Sequence, residues 1–316
     1  MRNEPRAESM SIPLWLIGLF QILVSLFLVG QTAIMRQPDR VRWTLHTLAY
    51  GMVIGFMWAV ARWDIATIHL RTILPVLFLV ASLLSYRRIT APKTPPRTIQ
   101  TLIVMGTNGL LIVLLGGFNW LAFRGYSVPE GTVDLSSPLR GSRSVVVHGG
   151  ASPFINGHAR VRPQTYALDI LGLNVLGRSA RAFGSRRELE SFTIFGASIY
   201  SPCAGTVAAA VDNYEDLIPP TTDPEHPAGN HVLVECGDVE VLLAHMKQGS
   251  VSVQVGTSVT VDTVLGQVGN TGNTSEPHLH VHAERGGEPG VVLDGEAVPI
   301  TIEGRFLVRG DVLRER

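Results

Sequence analysis

The stretch NTGNTSEPHLHVHAER (residues 270–285) places three histidines, His278, His280 and His282, at alternate positions. The chain has only ten histidines in 316 residues, so three within five residues is a strong local concentration. Side chains two residues apart on a β-strand share one face and lie roughly 6.5–7 Å apart along it. Three imidazoles on one face fit a core poorly but could surround a metal ion. The alternative is a polar strand face with incidental histidines.

The first 123 residues differ in composition from the remainder. They carry eleven Lys and Arg against four Asp and Glu, whereas residues 124–316 carry fifteen against twenty-two, so the two parts have formal charges of +7 and −7. All five tryptophans lie within the first 120 residues, and eight of the ten histidines follow residue 147. The basic residues are scattered and the second part is acidic, which argues against nucleic-acid binding. We therefore predict two regions of different kind.

Four apolar stretches in the first part are predicted to cross a membrane, at 14–34, 43–61, 68–85 and 101–123. Each is close to the roughly 20 residues that a transmembrane helix needs. One such stretch alone is compatible with a buried core helix, and the first is also compatible with a cleaved signal peptide. Four in series favour a multi-pass α-helical region, with Arg71 at the edge of the third stretch.

The charges flanking these stretches predict an orientation. Even numbers of crossings place both termini on one side, together with the loop near residue 65. The loops on the other side, 35–42 and 86–100, carry seven basic residues: Arg36, Arg40, Arg42, Arg87, Arg88, Lys93 and Arg97. The side of the termini carries Arg2, Arg6, Arg62, Arg71 and Arg124. The positive-inside rule then predicts a multi-pass protein of the cell (inner or plasma) membrane whose second part is extracytoplasmic.

Beyond residue 125 the sequence predicts an all-β domain. Short runs rich in β-branched residues are separated by Gly and Pro, which is typical of strands joined by tight turns. We predict a linker at 124–143, the β domain at 144–300 and a C-terminal tail at 301–316. The predicted strands are 144–148, 165–170, 205–211, 230–236, 239–246, 258–269 and 277–284, with an acidic, proline-rich loop at 212–229.

The two cysteines, Cys203 and Cys236, both lie in the predicted β domain. Outside the cytoplasm such a pair can form a disulfide, but the sequence does not show whether the two residues come close enough. Two unpaired buried thiols are the alternative.

Further candidate metal ligands outside the terminal trio are His148, His158, Asp169, His226, His231 and His245. Asp169 interrupts an apolar strand, where a buried carboxylate must be paired or bind a cation; a turn-capping Asp is the alternative. His158 lies in a predicted loop, where an ordinary surface histidine is the default. His245 closes an apolar strand and is expected at the edge of the sheet.

Three segments together resemble the lysostaphin-type (LytM-domain) zinc metallopeptidases. They are SPCAGTVAAAVD (201–212), VLLAHMKQGSVSVQVGTSV (241–259) and GNTGNTSEPHLHVH (269–282), and they occur in the order that the family has. The resemblance covers about residues 144–285 and no part of the membrane region. It implies a LytM-like β peptidase fold with one zinc ion per chain.

The resemblance also implies roles for individual residues. The metal ligands would be His158, Asp169 and His280, and His245 and His278 would be catalytic. The common form of the family spaces the first two ligands as HxxxD, whereas His158 precedes Asp169 by eleven residues. His148 is therefore an alternative first ligand. No family role falls on the remaining histidine of the trio, for which we expect a place on the strand face or a contact to a ligand.

The function implied is that of a membrane-anchored zinc metalloendopeptidase acting on peptidoglycan crosslinks or another envelope peptide. Zinc acidifies water enough to supply a nucleophile near neutral pH, and imidazoles with a pKa near 6.5 suit proton transfer. The alternative is a catalytically silent LytM-like binding or regulatory module, because a fold can persist after its site has decayed. The sequence leaves the oligomeric state and the scissile bond open.

Overall fold

The computed structural model describes residues 14–89, 98–141, 143–181 and 186–313. Within these ranges the chain forms four α-helices and thirteen β-strands. Some residues used in the sequence predictions lie outside the described residues: Arg2, Arg6, Lys93, Arg97 and the last three residues of the predicted tail.

The four apolar stretches are helical, as predicted. The helices are α1 (Leu14–Ile34), α2 (Arg40–Val60), α3 (Leu70–Tyr86) and α4 (Ile99–Phe123). Among the described residues three helices, α1, α2 and α4, are long and apolar enough to cross a membrane, and α3 is a shorter apolar helix of 17 residues. The N-terminal helices are thus compatible with membrane insertion.

The surface of the helices is apolar and their contacts are partly polar. Phe20, Leu83 and Val113 are each more than 60% exposed. Ser25 and Asn119 are buried instead, and the Asn119 amide donates to the carbonyl oxygens of Met52 and Leu115. Apolar residues outside and polar residues between helices are the arrangement that a lipid environment favours.

The β-rich domain follows α4, as predicted. Its strands are β1 (Val133–Leu135), β2 (Ser144–His148), β3 (Leu168–Gly172), β4 (Ser198–Tyr200), β5 (Gly205–Val211), β6 (Asn230–Cys236), β7 (Val239–Met246), β8 (Ser258–Val259), β9 (Val264–Gln267), β10 (Leu279–Arg285), β11 (Glu296–Val298), β12 (Ile300–Ile302) and β13 (Val312–Leu313).

Two predicted strands are shorter in the structure than in the sequence analysis. The strand predicted at 165–170 begins only at Leu168, because a 3₁₀ turn over Arg162–Gln164 precedes it. The strand predicted at 258–269 is divided into β8 and β9 by a turn in which the Thr263 amide bonds to the Thr260 carbonyl oxygen. In both places a local turn interrupts an otherwise β-like pattern.

One large sheet organises the domain. In the described residues its strand order is β13-β2-β3-β10-β7-β6-β5-β8, with β11 paired to the end of β10. β1 pairs with β12 in a separate two-stranded sheet, so part of the predicted linker is hydrogen-bonded to the β-rich domain. The apolar core lies on one side of the sheet and includes fully buried Ile170, Leu243 and Val281. For the site, the decisive feature is that β10 lies between β3 and β7.

A disulfide links Cys203, just before β5, to Cys236 at the end of β6, with their Cα atoms 5.9 Å apart. The bond that the sequence left open is therefore present. It ties together β5 and β6, which lie next to the edge strand β8 at the end of the large sheet remote from β2.

The helices pack directly against the β-rich domain. Trp63 and Ile68, in the connection between α2 and α3, join a buried apolar cluster with Val145 of β2 and Leu171 of β3. Arg71 donates hydrogen bonds to the Trp58 and Arg309 carbonyl oxygens, at 3.2 and 3.0 Å. The helical region and the sheet thus share a buried interface in the structure.

Candidate metal centre

The register of β10 brings the residues of the site together. His280 lies opposite Asp169 of β3 and, on the other side, opposite Ala244 of β7. His245 is the next residue of β7 and therefore lies beside the same point. Because alternate residues of a strand share a face, His282 is on the same side of β10 as His280.

A short loop carries His158 to this point. The residue lies in a 3₁₀ turn, Gly157–Arg160, before β3. Its backbone N–H donates to the side-chain oxygen of Asn156, and the buried Asn156 amide group donates to the carbonyl oxygens of Gly150 and Ala167. These bonds fix the loop against the start of β3, so that a histidine eleven residues before Asp169 can still contact it.

The three residues expected as ligands converge. His158 Nε2 lies 2.9 Å from Asp169 Oδ2, and His280 Nδ1 lies 2.9 Å from Asp169 Oδ1. One donor atom from each residue lies within 4.8 Å of the others, a grouping that could hold a metal ion. Asp169 and His280 are buried, whereas His158 is partly exposed. The centre therefore has an open side at His158.

The two residues expected to be catalytic lie against the same cluster. His245, His278 and His280 form a second group whose donor atoms lie within 4.8 Å of one another. His278 Nε2 is 3.4 Å from Asp169 Oδ1. His278 Nδ1 bonds to the Glu276 carbonyl oxygen at 2.9 Å, and His245 Nδ1 bonds to the carbonyl oxygen of Thr271 at 2.8 Å. Because a carbonyl oxygen only accepts, each ring carries a proton on Nδ1 and turns Nε2 towards the cluster.

His245 adopts an unusual backbone conformation, with φ of +64°. Such values are uncommon for a residue other than glycine and cost about 1–3 kcal/mol. Backbone hydrogen bonds hold it, since the His245 N–H donates to Ala228 and its carbonyl oxygen accepts from Gly269. The imidazole lies 4.7 Å from that of His278 between ring centroids. Strain held in place next to the cluster supports a functional role for this residue.

The charges of the site are set by Asp169. Burial opposes its ionisation, but the neighbouring imidazoles of His158 and His278 hold the Asp169 pKa well below its usual range. Burial likewise disfavours the imidazolium forms of these two histidines, yet the carboxylate outweighs burial and raises the pKa of each. Burial, with His278 and His280 nearby, keeps the His245 pKa well below 6.5. The centre therefore combines an anionic carboxylate with a neutral His245.

The other candidate histidines lie outside both clusters of described residues. His148 is next to His158, but its Nδ1 accepts the Gly157 N–H at 2.8 Å, and burial lowers its pKa to about 3. His226 is exposed and pairs with Asp223, and His231 Nδ1 bonds to the Gly229 carbonyl oxygen.

Three side chains orient the histidines expected as ligands: Gln164, His282 and Glu284. Of these the sequence analysis considered only His282, for which a contact to a ligand was one of two expectations. His158 Nδ1 is 3.0 Å from Gln164 Oε1. His280 Nε2 is 2.8 Å from His282 Nδ1, and His282 Nε2 is 2.7 Å from Glu284 Oε1. The sequence does contain a signal for the His282 and Glu284 contacts, because Glu284 continues the alternation of polar residues that begins at His278.

These contacts bear on whether a cation fits. A carboxylate oxygen of Glu284 accepts a hydrogen bond from the N–H at His282 Nε2, so the Nδ1 atom of His282 is unprotonated. That Nδ1 atom in turn accepts a hydrogen bond from the N–H at His280 Nε2. The Nδ1 atom of neutral His280 is therefore left with a lone pair. The side-chain oxygen of Gln164 similarly accepts a hydrogen bond from the N–H at His158 Nδ1, which leaves a lone pair on the Nε2 atom of neutral His158. Both lone pairs then face Asp169 oxygens at 2.9 Å, an arrangement that repels unless a proton or a cation lies between. Two imidazole nitrogens and one carboxylate oxygen are ligands that zinc accepts.

Comparisons with known proteins agree with this domain. The model of peptidase family M23 matches residues 190–290, a range that contains His245, His278 and His280 but not His158 or Asp169. No curated protein matches.

Several solved structures are similar over part of the chain. A Pseudomonas aeruginosa protein of the peptidase M23 type is 20% identical, with 59% of this chain and 57% of that one covered and a TM-score of 0.29. A zinc-containing peptidase from Vibrio cholerae is 18% identical, with 51% of this chain and 36% of that one covered and a TM-score of 0.25. Helicobacter pylori Csd3 is 15% identical, with 55% of this chain and 34% of that one covered and a TM-score of 0.30. This chain thus spans from about a third to 57% of the length of these proteins. On the family match, residues 190–290 form a LytM-type domain of peptidase family M23.

Proposed function

We propose that this protein is a membrane-anchored zinc metalloendopeptidase that hydrolyses peptide bonds in peptidoglycan crosslinks. The observation that carries the proposal is the convergence of His158, Asp169 and His280 on one point, with His245 and His278 against it. A decayed site is expected to lose some of these residues, and all five are present. One zinc ion per chain fits the donor set.

The proposed chemistry divides the residues into two groups. When bound, zinc supplies the Lewis acidity that makes water nucleophilic near neutral pH. His158, Asp169 and His280 would hold the ion. His278, whose pKa the Asp169 carboxylate raises, would donate a hydrogen bond from its protonated Nε2 to the scissile carbonyl oxygen. The unprotonated Nε2 of neutral His245 would accept the proton of the attacking water and pass it to the leaving amine. The carbonyl oxygens of Glu276 and Thr271 accept from the Nδ1 atoms of His278 and His245, which leaves the Nε2 atoms of both histidines for the reacting groups.

The helices support a membrane anchor with an extracytoplasmic β domain. Three helix ends lie at the sheet: the end of α2, the start of α3 and the end of α4. Ala61, Leu74 and Ala122, at or near these ends in that order, belong to buried apolar clusters that include residues of the β domain. If α2 and α4 both cross the membrane towards the β domain, then α3 must cross it in the opposite direction to return the chain to the start of α4. Its 17 residues rise about 26 Å, close to the roughly 30 Å of a bilayer core.

The opposite end of the bundle carries Arg36, Arg87 and Arg88, which are among the basic residues that the positive-inside rule uses. There Arg88 bonds to the Ala33 carbonyl oxygen, next to the connection that contains Arg36. The disulfide in the β domain also supports an oxidising, extracytoplasmic location. A peptidase tethered on that side would face a bacterial cell wall.

Metal analysis and wall digestion test the proposal on the full chain in detergent. We expect one equivalent of zinc in the wild type and loss of zinc in Asp169→Ala. His278→Ala and His245→Ala are expected to keep zinc and lose about 10²–10³-fold in rate, the usual effect of removing one transition-state hydrogen bond. Digestion of isolated peptidoglycan by the wild type but not by these variants supports the peptidase. Equal release by wild type and His278→Ala, or none by either, indicates a silent binding module.

A further inference from the structure

We propose that Arg62, in the connection that leaves α2, is a positioning residue of the site and acts through Glu276 on His278. The helical region would then be part of the active site and not a tether alone. This inference rests on the peptidase function proposed above, but its structural step can be tested separately.

A buried group of four charged residues joins the helices to the turn before β10. Arg62 Nη2 donates to Glu276 Oε1 at 2.6 Å, and Arg186 Nη1 donates to the other carboxylate oxygen at 2.5 Å. Arg62 also holds Asp64 through two hydrogen bonds of 2.7 and 2.8 Å. Asp64 and Glu276 are 2% and 6% exposed at their side chains.

The group is balanced in charge and linked by hydrogen bonds. Two arginines face two carboxylates, and Ser179 links the remaining atoms by donating to Asp64 and accepting from Arg186. Removing one member of such a buried set leaves an uncompensated charge behind, which is far more disruptive than losing an exposed ion pair. The position of the Glu276 carboxylate is therefore tightly determined by Arg62 and Arg186.

The other end of Glu276 holds the catalytic histidine. Its backbone carbonyl oxygen accepts from His278 Nδ1 at 2.9 Å and from the Thr274 hydroxyl at 2.8 Å. Pro277 lies between the two residues; it fixes its own φ and restricts the backbone of the residue before it. A displacement of the Glu276 side chain is thus passed through a short, stiff link to the His278 ring.

Other contacts between the helices and the sheet do not involve this link. Arg71 bonds to the Trp58 and Arg309 carbonyl oxygens, and Arg309 bonds to those of Val60 and Ile155. These arginines hold the same interface without touching Glu276. They provide a matched control, because loss of docking in general can be separated from loss of the Arg62–Glu276 contact.

The experiment compares full-length variants in detergent, with soluble crosslinked peptidoglycan fragments as substrate. We expect Arg62→Ala to lower kcat by roughly 10- to 100-fold, as small misplacements of catalytic groups do, with less change in KM and with zinc retained. Arg62→Lys, which keeps a cation near Glu276, should retain more activity. The exposed Arg140, paired with Asp262, provides a surface control in Arg140→Ala.

A double-mutant cycle identifies the route. If Arg62 acts through Glu276, Arg62→Ala combined with Glu276→Ala should lose no more than the worse single variant, since residues in one network are not additive. Losses that add, or an equal loss of kcat in Arg71→Ala, would overturn the proposal.

Hydrogen exchange gives a readout that needs no activity. Arg62→Ala should speed amide exchange in residues 270–278, and Arg71→Ala should leave that peptide close to wild type. If the wild type proves inactive on wall fragments, the peptidase function fails and this measurement alone decides the coupling. Unchanged exchange in residues 270–278 of Arg62→Ala would then reject it.

Discussion

The Nε2 atom of His280 lies 2.8 Å from the Nδ1 atom of His282, two residues further along β10. The Glu284 carboxylate completes the series at 2.7 Å and is itself held by the backbone N–H groups of Leu293 and Gly295. A carboxylate at the end of this chain of hydrogen bonds fixes the tautomer of both rings. It also makes the Nδ1 atom of His280 the more basic and available one.

We therefore predict that His282→Phe weakens zinc binding while the fold is kept. Partners that orient a metal ligand typically contribute about 10- to 100-fold in affinity. Glu284→Gln should cause a smaller loss in the same direction. Competition with a chromogenic chelator measures the zinc dissociation constant of each variant. Glu235→Gln, on an exposed position of β6, is the control. Affinity unchanged in His282→Phe would show that this residue is only part of the strand face.

A second prediction concerns the first ligand. His158→Ala should remove zinc at stoichiometric concentrations, because its Nε2 lies 2.9 Å from Asp169. His148→Ala should keep one equivalent, since His148 belongs to neither of the two groups of described residues whose donor atoms could hold a metal ion. Elemental analysis of the two purified variants after dialysis distinguishes them. Zinc lost from His148→Ala but retained by His158→Ala would reverse the assignment.

Much of this architecture could be predicted because the signals are local. A run of about 20 apolar residues indicates a helix such as α4 without reference to the rest of the chain, and alternation of residue types indicates β10. The His278 and His280 pair lies in one such strand. Asp169 was identifiable because an ionised carboxylate inside an apolar strand needs a partner.

The features that could not be predicted depend on contacts between distant segments. Arg62 and Glu276 are 214 residues apart, and no pattern around either indicates the other. The role of Gln164 depends on the fold of a single turn near His158. The strain at His245 is also invisible in the sequence, since its positive φ arises from hydrogen bonds to neighbouring loops.

A third prediction follows from Asp64 at the interface of helices and sheet. Burial opposes its ionisation, but Arg62 and Arg186 lower the Asp64 pKa to about 2. A carboxyl group with a lowered pKa contributes stability above its unfolded pKa of about 3.8, and this contribution is lost as the pH falls towards 2. Its size is on the order of 2 kcal/mol.

The measurement is the melting temperature of the full chain and of Asp64→Asn between pH 2 and pH 7. The wild type should be the more stable above about pH 5, and the difference should shrink below pH 4. Asp262→Asn, at an exposed ion pair with Arg140, should have little effect at any pH. A difference between wild type and Asp64→Asn that stays constant down to pH 2 would contradict the prediction.

The last prediction tests the side of the membrane. The Cys203–Cys236 disulfide forms and persists on the oxidising side, whereas cytoplasmic thiols are kept reduced. Full-length protein from its native host, denatured with maleimide present, should therefore remain unlabelled until a reductant is added. Cys203→Ser should be labelled at Cys236 without reduction, which confirms that the reagent reaches that position. Labelling of both cysteines in unreduced wild type would place the β domain in the cytoplasm, where a wall peptidase has no substrate.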